Sequence, residues 1–173
     1  MNSRSKGNRN ERKAAELISV WTGKKFAKTP SSGGLQWKKS FSKGDIVCTV
    51  EGHFFPFCVE VKAHKEIDFS HLLLKEIKQP KIFEFWEQCE RDAKLAEKVP
   101  MLMMRYDRLP ADFFFLALPT HFVLQLNLKF TKVLRFRGKH NIIIVDSREL
   151  FAMDYNEIKP LTKKYLKNAK KRR

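Results

Sequence analysis

The sequence predicts an α/β fold in a single domain, on three observations. Segments with helical period and segments with strand period are interspersed along the whole chain. The run Phe54-Phe55-Pro56-Phe57-Cys58-Val59 reads as a strand buried on both faces, which requires covering layers. No internal repeat or linker divides the 173 residues, a length that carries one real hydrophobic core.

The elements follow in order. Asn8 to Trp21 is predicted helical, because Ala14, Leu17, Ile18 and Trp21 share one face and Gly23 suits the C-terminal cap. Phe26 to Thr29 reads as a short strand. Residues 30–44 read as a long loop, a binding or a mobile segment, since Pro30-Ser31-Ser32-Gly33-Gly34 does not nucleate regular structure and Lys38, Lys39 and Lys43 follow. Asp45 to Glu51 and Phe54 to Lys62 read as two strands of a hairpin turning at Gly52-His53. Ser70 to Ile77 is predicted as a short helix. Pro80 opens the next helix, whose apolar face is Ile82, Phe83, Trp86 and Cys89. Met101 to Tyr106 and Phe113 to Leu118 are further strands. Phe130 to Phe136 and Asn141 to Val145 form a second hairpin, turning at Gly138 to His140. Arg148 to Met153 and Asn156 to Leu166 are helical, and a basic tail follows.

Composition narrows the partners. The chain is 43% hydrophobic with 15 Phe, which excludes a disordered protein. Lys and Arg number 35 against 19 Asp and Glu, a formal charge of +16. Such an excess favours a polyanion, and nucleic acid is the expected one because neutralising phosphates releases counterions. Met1 to Asn10 lacks the apolar segment of a secretory signal, and no apolar run reaches the ~18 residues of a membrane span. Cys48, Cys58 and Cys89 are odd in number and widely spaced, so reduced cysteines in a cytoplasmic compartment are expected. A zinc site from Cys48, His53, Cys58 and His64 lacks the short paired spacing such sites use.

One constellation carries chemistry. With Gly52-His53 as a two-residue turn, Asp45 faces Glu60 across the hairpin, and Lys62 shares their face. Two opposed carboxylates repel unless a cation lies between them. Asp45 and Glu60 are hard oxygen ligands suited to magnesium or manganese. Lys62 suits the orientation of a water or the stabilisation of phosphate charge. Glu11 lies one turn before Ala14 and Ala15 on the core-facing stripe and is the third candidate ligand; a capping role with Asn8 is the alternative. The plainer reading of Glu60 and Lys62 is an ordinary surface ion pair, but charges closing so apolar a strand call for a reason.

Asp45 followed by Glu60-Val61-Lys62 resembles the PD-(D/E)xK nuclease signature. The run Lys6-Gly7-Asn8-Arg9-Asn10-Glu11-Arg12, followed by Pro30-Ser31-Ser32-Gly33, resembles the archaeal-type Holliday junction resolvases more specifically. The likeness covers roughly residues 6–105. It implies a restriction-endonuclease-like fold, a mixed central sheet flanked by helices. It implies Glu11, Asp45 and Glu60 as ligands of Mg2+ or Mn2+, Lys62 as the catalytic lysine, and Ser32 as a loop residue that matters for cleavage. It further implies a homodimer that nicks the two symmetric strands of a four-way DNA junction. Gln79 sits where the family has a glutamine. Gly44 replaces the family's proline before the aspartate, and Lys28 stands where arginine is usual. Residues 110–173 have no recognised counterpart; such an extension, with its basic tail, suits a viral member acting in a host cytoplasm.

Lys6, Arg9, Arg12, Lys28, Lys38, Lys39, Lys43 and Gln79 are therefore the expected DNA contacts. Phosphate contacts position a substrate without reading its sequence, as a structure-selective enzyme needs. Two other readings remain open on the sequence. One is a nuclease of the same fold acting on flaps, damaged DNA or linear duplex. The other is a non-catalytic basic DNA-binding protein.

Overall fold

The computed structural model describes residues 3–29, 43–63, 81–106, 109–126, 133–136 and 141–171. Ser32, Lys38, Lys39, Gln79, the helix expected at 70–77 and the turn at 138–140 lie outside them, as does the Lys6 side chain.

A five-stranded mixed sheet organises the chain in the order β3-β4-β5-β7-β6. β3 (Phe57–Ala63) runs parallel to β4 (Val99–Arg105), with Phe57 opposite Val99 and Ala63 opposite Arg105. A parallel pair needs a crossover, and α2 (Lys81–Leu95) lies within it and packs on both strands. β5 (Phe115–Pro119), β6 (Val133–Phe136) and β7 (Ile142–Asp146) continue the sheet with antiparallel pairings. β4 is buried at all seven positions, as a strand with neighbours on both sides and helices on both faces must be. The class matches the expected α/β mixed sheet flanked by helices.

Two apolar layers cover the sheet. On one face, α1 (Ser3–Thr22) contributes Ala14, Ile18 and Trp21, and α5 (Tyr155–Lys171) contributes Tyr155 and Ile158. These pack against Phe57, Val59, Val61, Met101, Met103, Leu116 and Val145. On the other face, Ile82, Trp86 and Cys89 of α2 pack on Leu102, Met104, Ala117 and Ile144. The strand alternation thus sends Val59 and Val61 to the α1 layer, and Cys58, Glu60 and Lys62 to the α2 side.

Trp21 ties the two ends of the chain together. Its Nε1 donates to the Met153 carbonyl at 3.0 Å, and its ring meets Phe57, Phe151 and Tyr155 at 6.0, 5.0 and 5.0 Å. α3 (Thr120–Val123) and α4 (Ser147–Phe151) fill in around β5 and β7, and the Asp146 carboxylate caps α4 by accepting from the Arg148 amide. Asp154 caps α5 in the same way, its carboxylate accepting from the Asn156 amide at 2.8 Å. No helix among the described residues is long and apolar enough to cross a membrane. Cys58 and Cys89 are fully buried, and burial pushes the Cys58 thiol up to about 12.

Several expectations are corrected. α1 begins at Ser3 rather than Asn8, so Asn8 is interior and caps nothing. The first expected hairpin does not form. β2 (Ile46–Cys48) pairs instead with β1 (Phe26–Lys28), antiparallel, with Ala27 opposite Val47. The chain does turn at residues 50–53, where Gly52 has φ +72° and the His53 amide donates to the Val50 carbonyl. β3 starts only at Phe57, because Pro56 has no amide to give a ladder. The strand expected at Phe113 to Leu118 runs from Phe115 to Pro119, and the last helix reaches Lys171 rather than Leu166.

Candidate active site

The site assembles on the edge of β3 that β4 leaves open. Gly44 and Asp45 dock there rather than in a ladder. The Asp45 amide donates to the Val59 carbonyl at 2.7 Å, and the Asp45 Oδ2 accepts from the Val61 amide at 2.7 Å. The aspartate therefore brackets Glu60 by holding the backbone on both sides of it. This arrangement replaces the expected cross-strand pairing of Asp45 with Glu60. Thr29 pins the segment from behind, its amide bonding to the Asp45 carbonyl and its hydroxyl to the Gly44 carbonyl, at 2.7 and 2.8 Å.

Gly44 makes the approach possible. It sits at φ +93°, and a Cβ there would lie 2.6 Å from the Val59 carbonyl oxygen and 3.1 Å from its nitrogen. A side chain at this position would push Asp45 off the strand.

Glu60 is 4% exposed. Its Oε1 accepts from Lys62 Nζ at 2.6 Å and from Gln88 Nε2 at 2.7 Å. The Lys62 ammonium also stands 5.5 Å from the centroid of the Phe85 ring. Phe85 and Gln88 are three residues apart and so share one stripe of α2. Neither was singled out from the sequence. The available signal was a glutamine beside the buried stripe of Trp86 and Cys89, on a helix bound to cross over β3.

Burial pushes the Asp45 carboxyl up to about 6, helped by the nearby charges of Glu60 and Glu11 and opposed by the Val61 amide and Lys62. Glu11 is bonded to Lys28. Lys28 Nζ donates to its Oε2 at 3.1 Å and to Asn8 Oδ1 at 2.6 Å. Lys28, an expected DNA contact, thus turns its ammonium toward the protein. Among the described residues no three His, Cys, Asp or Glu side chains gather closely enough to hold a metal. Lys28 is bonded to Glu11 and Lys62 to Glu60; the zinc set considered above is likewise not assembled from its described members. The donors still fit a hard divalent cation. Two carboxylates lie close enough for the Glu60 charge to raise Asp45, and each keeps an oxygen that takes no hydrogen bond among the described residues.

Arg9 and Arg12 are exposed on α1, and with Asn8, Lys13 and Glu16 they line a shallow cavity of about 380 Å³. Lys43 is exposed just before Gly44.

A mixed sheet whose edge strand presents a glutamate and a lysine two residues apart, with an aspartate clamped beside them, is the arrangement that the Asp45 and Glu60-Val61-Lys62 pattern leads one to look for. The chain belongs to the family described as "Phage putative PDDEXK endonuclease", which it matches over residues 2–168. It is therefore a nuclease of that family. Among its relatives, Protein D14 of Escherichia phage T5 is 29% identical over 109 residues, 62% of this chain and 67% of that one. A solved structure with some likeness is that of Archaeoglobus fulgidus Hjc, a Holliday junction resolvase from an archaeal hyperthermophile. There the identity is 17% and the TM-score 0.35, over 79% of this chain and 87% of that one.

Proposed function

We propose that the protein is a metal-dependent, structure-selective DNA endonuclease that hydrolyses phosphodiester bonds at four-way junctions, acting as a homodimer in the host cytoplasm. The observation that carries the hydrolytic part is the clamp of Asp45 on both sides of Glu60, with Lys62 bonded to Glu60. Preference for a junction is supported by the Lys6-Gly7…Glu11-Arg12 and Pro30-Ser31-Ser32-Gly33 runs.

In this reading Asp45 and Glu60 would hold Mg2+ or Mn2+, and Glu11, bonded to Lys28 in this structure, would be the third ligand. Bound there, such a cation would supply the acidity for a water and the positive charge for the scissile phosphate. Lys62, steadied by Glu60 and the Phe85 ring, stabilises the charge that builds on the phosphate. Gln88 fixes the Glu60 carboxylate so that it does not swing away from Asp45. Ser32 acts from the loop at the cut strand. Lys6, Arg9, Arg12, Lys38, Lys39, Lys43 and Gln79 hold backbone phosphates, and Lys28 joins them when freed from Glu11. Residues 1–173 work as one nuclease domain, since three of the five strands lie beyond residue 110.

The test is cleavage of an end-labelled four-way junction with magnesium, against EDTA and against Asp45→Ala, in competition with flap, linear duplex and single-stranded DNA. Paired symmetric nicks in the junction alone support the reading. Preference for linear duplex, or wild-type cutting by Asp45→Ala, removes it.

A further inference from the structure

At the opposite end of β3 from Lys62, residues Ile46, Cys48, His53, Phe54, Phe55 and Lys98 line a cavity of about 480 Å³. Lys98 precedes Val99, which pairs with Phe57, whereas Lys62 pairs with Met104 five residues on. The cavity thus lies about 17 Å along the strand from the candidate site.

Its walls combine an aromatic face with unbalanced positive charge. Phe54 is 48% exposed, a large apolar ring turned to solvent. Lys98 Nζ stands 6.0 Å from that ring's centroid. No carboxylate among the described residues pairs with Lys98, and burial holds its ammonium below the usual lysine range, so an anion entering the cavity would meet a cation with no other anionic partner among them. Burial holds the His53 imidazole low, and the positive charges of Lys159 on α5 and of Lys24 just before β1 add to that. His53 Nε2 is buried and takes no hydrogen bond among the described residues. Glu51 is the one acidic residue in the lining, and it is exposed.

A ligand suited to these walls is flat, aromatic and anionic. We propose that the cavity is a nucleotide subsite, in which an unpaired base of the DNA substrate stacks on Phe54 and its phosphate rests on Lys98. The subsite rests on the reading of the protein as a DNA nuclease and adds to it a contact for strand that has left the duplex. Stacking of a base on an aromatic side chain is favourable whatever the base, which suits an enzyme that reads shape.

The experiment measures fluorescence anisotropy of a labelled 12-nucleotide single strand and of a blunt duplex of the same length, in EDTA so that nothing is cut. Phe54→Ala and Lys98→Met are each expected to weaken single-strand binding about five-fold or more, with duplex binding and thermal midpoint close to wild type. Phe54→Trp is expected to restore or strengthen single-strand binding, which a merely structural role for the ring would not produce. Single-strand affinities equal to wild type in both variants overturn the subsite while leaving the nuclease reading intact. A wild-type protein that binds neither DNA overturns both.

Discussion

Asp45 Oδ2 accepts the Val61 amide at 2.7 Å, so a carboxylate side chain takes the place of a missing neighbour strand on the open edge of β3. The same carboxylate is half-buried near Glu60 and resists ionisation, with its carboxyl raised to about 6. Structure and charge therefore pull in opposite directions at one residue until a cation arrives.

That conflict gives a pH dependence. An acid whose folded value lies above its unfolded value, here about 6 against 3.8, is fully favourable below the unfolded value. Its contribution is lost as pH rises through the folded one. In EDTA, Asp45→Asn should therefore match wild type near pH 3.5 and exceed it above about pH 6, by on the order of 2–3 kcal/mol at most. The asparagine keeps an oxygen for the Val61 amide. Urea denaturation of both proteins between pH 3.5 and 8 measures the gap, and saturating magnesium should close or reverse it because only wild type gains the ligand.

Gly44 should tolerate no side chain. Gly44→Ala meets backbone atoms of Val59 at 2.6 and 3.1 Å at a positive φ, so a loss of about 2–4 kcal/mol is expected, together with at least a ten-fold drop in cleavage. Gly23→Ala is the control. It shares a positive φ of +64° but meets nothing within 4 Å, so it should cost only about 1 kcal/mol and leave cleavage unchanged. Equal effects at both positions would show that the strand contact is immaterial.

Lys62 and Gln88 should separate chemistry from positioning. Lys62→Met is expected to lower the single-turnover cleavage rate about 10²–10³-fold with junction affinity retained. Gln88→Ala should lower it about ten-fold, since it loosens Glu60 without removing it. In the double variant the Gln88 effect should shrink, as both donors act on the same Glu60 oxygen. Strict additivity of the two would count against a shared role.

Arg9 and Arg12 should behave as phosphate contacts. Replacing both by glutamine is expected to weaken binding to every DNA tested by a similar factor, and to lower the slope of log affinity against log salt by about 2. An unchanged slope would place the DNA elsewhere on the protein.

Much of this site was legible in the sequence, for a local reason. The two-residue period of a strand puts Glu60 and Lys62 on one side and Val59 and Val61 on the other, and the structure keeps that division. What escaped were contacts made across long sequence separations. β2 pairs with β1 rather than β3, a choice that Pro56 favours by withholding an amide but that no periodicity encodes. Lys28 reaches back to Asn8 and Glu11 over 20 and 17 residues, so Asn8 serves an ammonium and not a helix end. Gln88 meets Glu60 only because α2 crosses the sheet at that height. The C-terminal third was legible as helices and strands, whereas its role in completing the sheet and covering Trp21 depends on tertiary packing.

That packing predicts the fate of a shortened chain. Ending the protein at residue 109 removes β5, β6 and β7 and uncovers Trp21, Phe57 and Met103. The loss of aromatic burial alone, about 3–5 kcal/mol per large ring, is comparable to the whole stability of a domain. Circular dichroism and amide hydrogen exchange of the 1–109 fragment should show no cooperative unfolding transition.

The three cysteines offer a practical handle. With Cys58 and Cys89 sealed among apolar side chains and their thiols held protonated, a maleimide dye has one half-exposed sulfur to attack, that of Cys48. The unmodified sequence thus accepts a single fluorophore at the rim of the Phe54 cavity, where its emission can report, turnover by turnover, whether a displaced base has come to rest there.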